Sequence, residues 1–196
     1  MRKTLLFLFI AFCLLLCGVG ALWTYYSVKV PKHYQEIDYP TQTLIKGRNR
    51  VQGIVLHHTA TLTTSQSLRI LTGKDTGRST HVLIAYNGTR YILAQPKERT
   101  CHAGYSKMNG REWCNNFTIG IEFQGSTDLV PLTGRQIASA VEYIEALKKK
   151  YYIPIENIVT HEMVRDAYIT AHPEKHVDTK CDIVQRDYKR VLNALK

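Results

Sequence analysis

The stretch Ile54-Val55-Leu56-His57-His58-Thr59-Ala60 constrains this chain more than any other. Its apolar, partly β-branched run predicts a buried strand, and the abrupt change to imidazole and hydroxyl groups sets a polar site at the strand's C-terminal end. Neutral imidazole is the commonest protein ligand for zinc, and the end of a buried strand is a rigid place to hold one. Taken alone, the same residues also fit a strand that ends in ordinary polar groups.

Strand and helix signals alternate around this run. Residues 51–57 read as the first strand, and residues 65–71 as a short helix with Ser65 as its N-cap. Residues 80–86 and 89–94 flank Asn87-Gly88, a strong hairpin signal. A long irregular loop follows over 95–117, and loops of that length inside a compact domain tend to carry function. Residues 118–123 form a further strand, closed by Gly125. Thr133-Gly134-Arg135-Gln136 is a capping box that opens a helix to about Lys150, with Ile137, Val141, Ile144 and Leu147 on one face. A short strand over 158–160 runs into His161, and residues 182–195 predict a closing amphipathic helix. This alternation predicts an α/β fold: one domain over 51–196, with a central mixed β-sheet flanked by helices. Residues 28–50 are polar, contain proline and show no period, which predicts an extended lead-in.

At 196 residues, 44% hydrophobic and 21% charged, the chain has the make-up of a folded domain and not of a disordered one. Its net charge of +10 suits polyanions. No basic run interleaved with aromatics is present, so nucleic acid is not the expected partner; Lys148-Lys149-Lys150 suits the dipole at a helix end. Arg2 and Lys3 precede an uncharged stretch over residues 4–23, about the length that spans a bilayer. Residues 1–27 are therefore a membrane anchor or a signal peptide, an N-terminal apolar helix ahead of the domain. Val19-Gly20-Ala21 offers a cleavage site, while Trp23, Tyr25 and Tyr26 would mark the outer interface of a retained anchor. Either outcome puts the domain in the cell envelope, on the periplasmic or extracytoplasmic face. Outside the apolar segment, Cys101, Cys114 and Cys181 leave disulfide pairing open, and no C-x-x-C pair suggests a structural zinc ribbon.

Three pieces carry chemistry. His57 ends its strand. Glu122 interrupts the apolar run Thr118-Ile119-Gly120-Ile121-Glu122-Phe123, and a carboxylate there must face a polar site. Val159-Thr160-His161-Glu162 is another strand ending in histidine, followed by Lys180-Cys181-Asp182. Two histidines and a carboxylate, with a fourth position open, make a catalytic zinc set.

At these residues the chain resembles the zinc-dependent N-acetylmuramoyl-L-alanine amidases of the second amidase family. That family includes the bacterial muropeptide-recycling amidase, the T7-type lysozyme and the peptidoglycan recognition proteins. I-V-L-H-H-T-A is similar to the family's first ligand strand, C-H-A-G-Y-S to its H-A-G loop, and G-R-E-W-C-N-N-F-T-I-G-I-E-F-Q-G to the run through its glutamate. Val159-Thr160-His161 and Lys180-x-Asp182 match the later motifs. The resemblance implies zinc (Zn2+) on His57, His161 and Asp182. It implies catalytic roles for Glu122 and Lys180, and substrate contacts for His102 and Asn115. It also implies a peptidoglycan or muropeptide substrate and a monomer, with the membrane as a further partner if the anchor is retained. His58 and His81 match no motif and read as supporting or core histidines.

Two departures stand out. The segment between His161 and Lys180 is long and carries His172, His176 and Asp178 as rival third ligands. Trp113 stands where the recycling amidase has an arginine. Competing readings are a wall-binding module that does not cut and a zinc peptidase acting on cross-link peptides. Against the second, the H-E-x-x-H motif is missing, because His161-Glu162 continues as Met163-Val164-Arg165.

Overall fold

The structure is a computed structural model that describes residues 33–177 and 182–195. Residues 1–27, Asp178, Lys180 and Cys181 lie outside the described residues. In chain order the strands are β1 (Glu36–Asp38), β2 (Leu44–Ile45), β3 (Gly53–His58), β4 (Val82–Ile84), β5 (Arg90–Ile92), β6 (Arg99–Thr100), β7 (Lys107–Met108), β8 (Arg111–Glu112), β9 (Thr118–Phe123) and β10 (Ile158–Thr160). The helices are α1 (Thr64–Thr72), α2 (Gly134–Tyr151), α3 (His161–Ala171) and α4 (Gln185–Ala194).

The central sheet has six strands in the order β1-β5-β4-β9-β3-β10. It is mixed, as expected: β3 pairs in parallel with β9 and β10, β9 with β4, and β1 with β5, while β4 and β5 form the antiparallel hairpin around Asn87-Gly88. Every residue of β3 is buried. Ile54, Leu56, Ile119, Ile121 and Phe123 point to one face and pack with Ile144 of α2 and Val191 of α4. Val55 and Val159 point to the other face, against Ala103, Met108, Phe117 and Val164 of α3. Leu68 and Leu71 of α1 cover that side over Leu83 and Leu93. The alternation of side chains along a strand therefore sends His57 and Glu122 toward the α1/α3 layer.

Several elements differ from the sequence-based expectation. The N-cap of α1 is Thr63 and not Ser65: its hydroxyl accepts from the backbone N–H of Gln66, whose side chain reaches back to cap Thr63 N. Helix α4 begins at Gln185, so Asp182 precedes it instead of opening it. Residues 36–38, expected as featureless lead-in, form the edge strand β1, and the buried Arg90 guanidinium pairs with Glu36 at 3.0 Å and Glu142 at 2.9 Å. Cys101 and Cys114 are free thiols. Among the described residues no helix is long and apolar enough to cross a membrane.

His81 is fully buried between the sheet and the 95–117 loop. Its Nδ1 accepts from the backbone N–H of Gly120 at 3.0 Å, and its Nε2 donates to the Glu98 carbonyl at 3.0 Å. Burial pushes its pKa down to about 4, only partly countered by the Glu98 carbonyl. Between the unfolded value near 6.5 and the folded one, the unfolded chain binds the proton and the folded one does not, so stability falls as pH drops through that window. Comparing denaturant unfolding of the wild type with His81→Asn, in chelator, should show the wild type losing more between pH 6.5 and pH 4 by on the order of 3 kcal/mol. Equal losses would contradict this account of His81.

Candidate active site

The parallel register pairs His57 of β3 with Glu122 of β9. On the other side of β3, Thr160 of β10 lies level with Leu56, so His161 follows at the height of His57. Thr160 also caps α3 by accepting from Met163 N at 3.2 Å, which turns the chain sharply at His161. Three parallel strands thus end together, and ligands bind at the carboxyl ends of strands in open α/β sheets.

Among the described residues, His57, His161 and Asp182 form a group that could hold a metal ion, with one candidate ligand atom from each within 4.8 Å of the others. Oδ2 of Asp182 lies 2.8 Å from His161 Nδ1 and 3.4 Å from His57 Nδ1. Oδ1 of Asp182 accepts from the backbone N–H of His58 at 3.0 Å and of Ile183 at 2.9 Å. One carboxylate oxygen is thereby pinned by the main chain while the other faces both imidazoles. Burial alone would raise the Asp182 carboxyl, but the imidazoles of His57 and His161 hold it far below the ordinary carboxylate range. Burial lowers the pKa of His57 despite the opposing pull of Asp182, and so favours the neutral ring a metal requires. Two nitrogen donors and one oxygen donor suit zinc.

His58 turns to the opposite side. Its Nδ1 accepts from Thr127 N at 3.1 Å and meets Thr127 Oγ1 at 2.8 Å, and the same hydroxyl accepts from Val184 N at 3.0 Å. His58 and Thr127 together fix the backbone that presents Asp182, which is a supporting role. Thr127 escaped the sequence reading because its partners, at 58 and 184, are distant in the chain.

The structure also places the two expected substrate contacts, His102 and Asn115. Asn115 is buried, and its carbonyl accepts from the backbone N–H groups of His102 at 3.0 Å and Ala103 at 2.8 Å. His102 borders the cavity, but both ring nitrogens face protein: Nδ1 meets His57 Nε2 at 3.2 Å and Nε2 meets Thr118 Oγ1 at 3.3 Å. Of the rival ligands, His172 is held by Glu112 Oε1 at 2.7 Å, away from the metal group, and His176 lies on the cavity rim without joining it. Asp178 and Lys180 lie outside the described residues.

A cavity of about 710 Å³ opens above this group. His57, His161, Asp182 and Glu122 line it, with Arg78, Tyr105 and Arg165 among its other walls. Trp113, in the left-handed region with φ 62°, is half exposed and lies 5.3 Å ring to ring from Tyr105.

A mixed α/β domain thus brings two histidines and a glutamate at the ends of parallel strands together with an aspartate from the segment before α4. Residues 47–181, more than half of the chain, match the N-acetylmuramoyl-L-alanine amidase family. The chain belongs to that family. It is 42% identical over 84 residues to the 1,6-anhydro-N-acetylmuramyl-L-alanine amidase AmpD of Haemophilus influenzae, an alignment covering 42% of this chain and 45% of that protein. The chain thus spans less than half the length of the curated relatives it matches. Its fold is similar to the selenomethionine crystal structure of AmpD, with TM-score 0.59, 21% identity, and coverage of 82% of this chain and 94% of that one. It is also similar to AmpDh3 of Pseudomonas aeruginosa, solved in complex with an anhydromuramic pentapeptide, with TM-score 0.58, 25% identity, and coverage of 81% and 65%.

The geometry singles out Asp182 as the third candidate ligand. Elemental analysis of purified variants should find Asp182→Ala stripped of most bound metal, while His172→Ala and His176→Ala retain it. Loss in His176→Ala with retention in Asp182→Ala would reverse the assignment.

Proposed function

We propose that this protein is a zinc-dependent peptidoglycan hydrolase that cuts the amide bond between the lactyl group of N-acetylmuramic acid and L-alanine of the stem peptide. The observation that carries this reading is the convergence of His57 Nδ1, His161 Nδ1 and Asp182 Oδ2 beside Glu122. Membership of the amidase family supports the bond, and the muropeptide names attached to its relatives support the substrate class.

His57, His161 and Asp182 would hold zinc, which with a fourth position open supplies Lewis-acid activation of water and of the amide carbonyl. Glu122, one strand over from His57, takes a proton from the attacking water and hands it to the leaving amine of alanine. Lys180 steadies the oxyanion that develops on the carbonyl; this role rests on the family's lysine-x-acid motif. Arg78 and Arg165 on the cavity walls, and the net charge of +10, suit a polymer bearing stem-peptide carboxylates. The uncharged stretch over residues 4–23 supports placement in the cell envelope, where the wall is within reach. A monomer suffices for this site, since all its groups come from one chain.

Zinc-loaded protein should release muramyl ends and peptides beginning with L-alanine from sacculi or anhydromuropeptides, as read by mass spectrometry. Chelation should stop the reaction. Binding without release would favour the wall-binding reading, and cleavage inside the stem would favour a peptidase. Glu122→Gln should lower kcat by at least about 10²-fold, the scale of general acid–base catalysis, with zinc content unchanged. Near-normal turnover in that variant would remove Glu122 from the mechanism.

A further inference from the structure

We propose that residues 101–104 orient the metal centre from behind, setting the tautomer of both histidine ligands, with His102 as the positioning residue for His57 and Asn115 as the clamp on the loop. The inference rests on the zinc reading of the site and extends it to groups outside the candidate ligand set.

Both ligand histidines turn Nδ1 toward Asp182, so their far nitrogens point into the protein. His161 Nε2 lies 3.3 Å from the Ala103 carbonyl. A carbonyl only accepts, so Nε2 carries the proton and the Nδ1 lone pair stays free for metal.

His57 reaches the same state through a longer chain. Its Nε2 meets His102 Nδ1 at 3.2 Å, His102 Nε2 meets Thr118 Oγ1 at 3.3 Å, and Thr118 Oγ1 donates to the Cys114 carbonyl at 2.7 Å. The Cys114 carbonyl sets the direction of every bond in this series. Thr118 must donate to it, so its oxygen accepts from His102 Nε2–H. His102 therefore presents an Nδ1 lone pair, which accepts from His57 Nε2–H. His57 is left with a bare Nδ1 facing Asp182.

Two further features are shaped to this arrangement. A Cβ on Gly120 would lie 2.6 Å from Thr80 Oγ1, 2.7 Å from His102 Cγ and 2.8 Å from its Nδ1, so the missing side chain on β9 makes room for the ring and for the Thr80 hydroxyl beside it. Asn115 fastens the loop by accepting from the backbone N–H of both His102 and Ala103. One clamped loop thus serves His57 through a side chain and His161 through a backbone carbonyl.

Zinc dissociation constants of the full chain, from competition with a chromophoric chelator, test this. His102→Phe should weaken zinc by about 10–100-fold, the usual effect of removing a group that orients a metal ligand. Gly120→Ala should weaken it in the same direction, and His102→Asn, whose carbonyl can still accept from His57, should recover most of the loss. Metal-free melting temperatures check that each variant folds. Imidazole ¹⁵N spectra of the zinc-loaded wild type give an answer without substitution: His102 should be the Nε2–H tautomer. An Nδ1–H tautomer at His102, or wild-type zinc affinity in folded His102→Phe, overturns the inference and leaves the proposed function standing. A wild type that binds no zinc overturns both.

Discussion

Two adjacent parallel strands, β3 and β9, run in a register that sets His57 beside Glu122, and the site is built outward from that pairing. The constraint is severe because side chains alternate across a sheet. A slip of one residue in β9 would bury Glu122 among Ile144 and Val191 and turn Ile121 into the cavity. The apolar residues that fill the α2/α4 side, Ile54, Leu56, Ile119, Ile121 and Phe123, therefore also enforce the relative position of a candidate ligand and a candidate proton carrier. Core packing and chemistry are two faces of the same strands.

The third candidate ligand comes from outside the sheet and is held differently. Asp182 lies in an irregular segment before α4, where no strand could fix it. Two backbone N–H groups grip one of its oxygens and leave the other to the imidazoles. The donor of one of them, His58, is the neighbour of His57, so the strand that supplies the first candidate ligand also orients the third. The two adjacent histidines thus divide their work by direction, one side chain facing the cavity and the other facing Thr127.

Much of this was legible in the sequence, for identifiable reasons. Strand β9, strand β10 and helix α2 match the expected spans closely, because β-branched runs and the Thr133–Gln136 capping box are local signals. Strand β1 was hidden because its place depends on Arg90, more than fifty residues away in the chain. The start of α1 was misplaced within the hydroxyl run Thr61-Leu62-Thr63-Thr64-Ser65, where several caps compete and the Gln66 side chain decides. His57, Glu122 and His161 stand out in the sequence because each interrupts or ends a patterned segment, while Asp182 stands out only through the lysine-x-acid motif of the family the chain resembles. For His102 and Asn115 the sequence shows which loop they occupy and not which way they face. Their partners are a ring nitrogen at 57, a hydroxyl at 118 and backbone groups of their own loop, and contacts of that kind leave no pattern in a sequence.

The central claim is that His57, His161 and Asp182 together form one zinc site at the ends of three parallel strands. Anomalous diffraction at the zinc edge, from crystals of the zinc-loaded protein, tests it most directly. A single strong peak should lie among His57 Nδ1, His161 Nδ1 and Asp182 Oδ2, with the Glu122 carboxylate facing the same open side. A peak held instead by His176 or Asp178, or bound through the Nε2 atoms of the two histidines, would contradict the account.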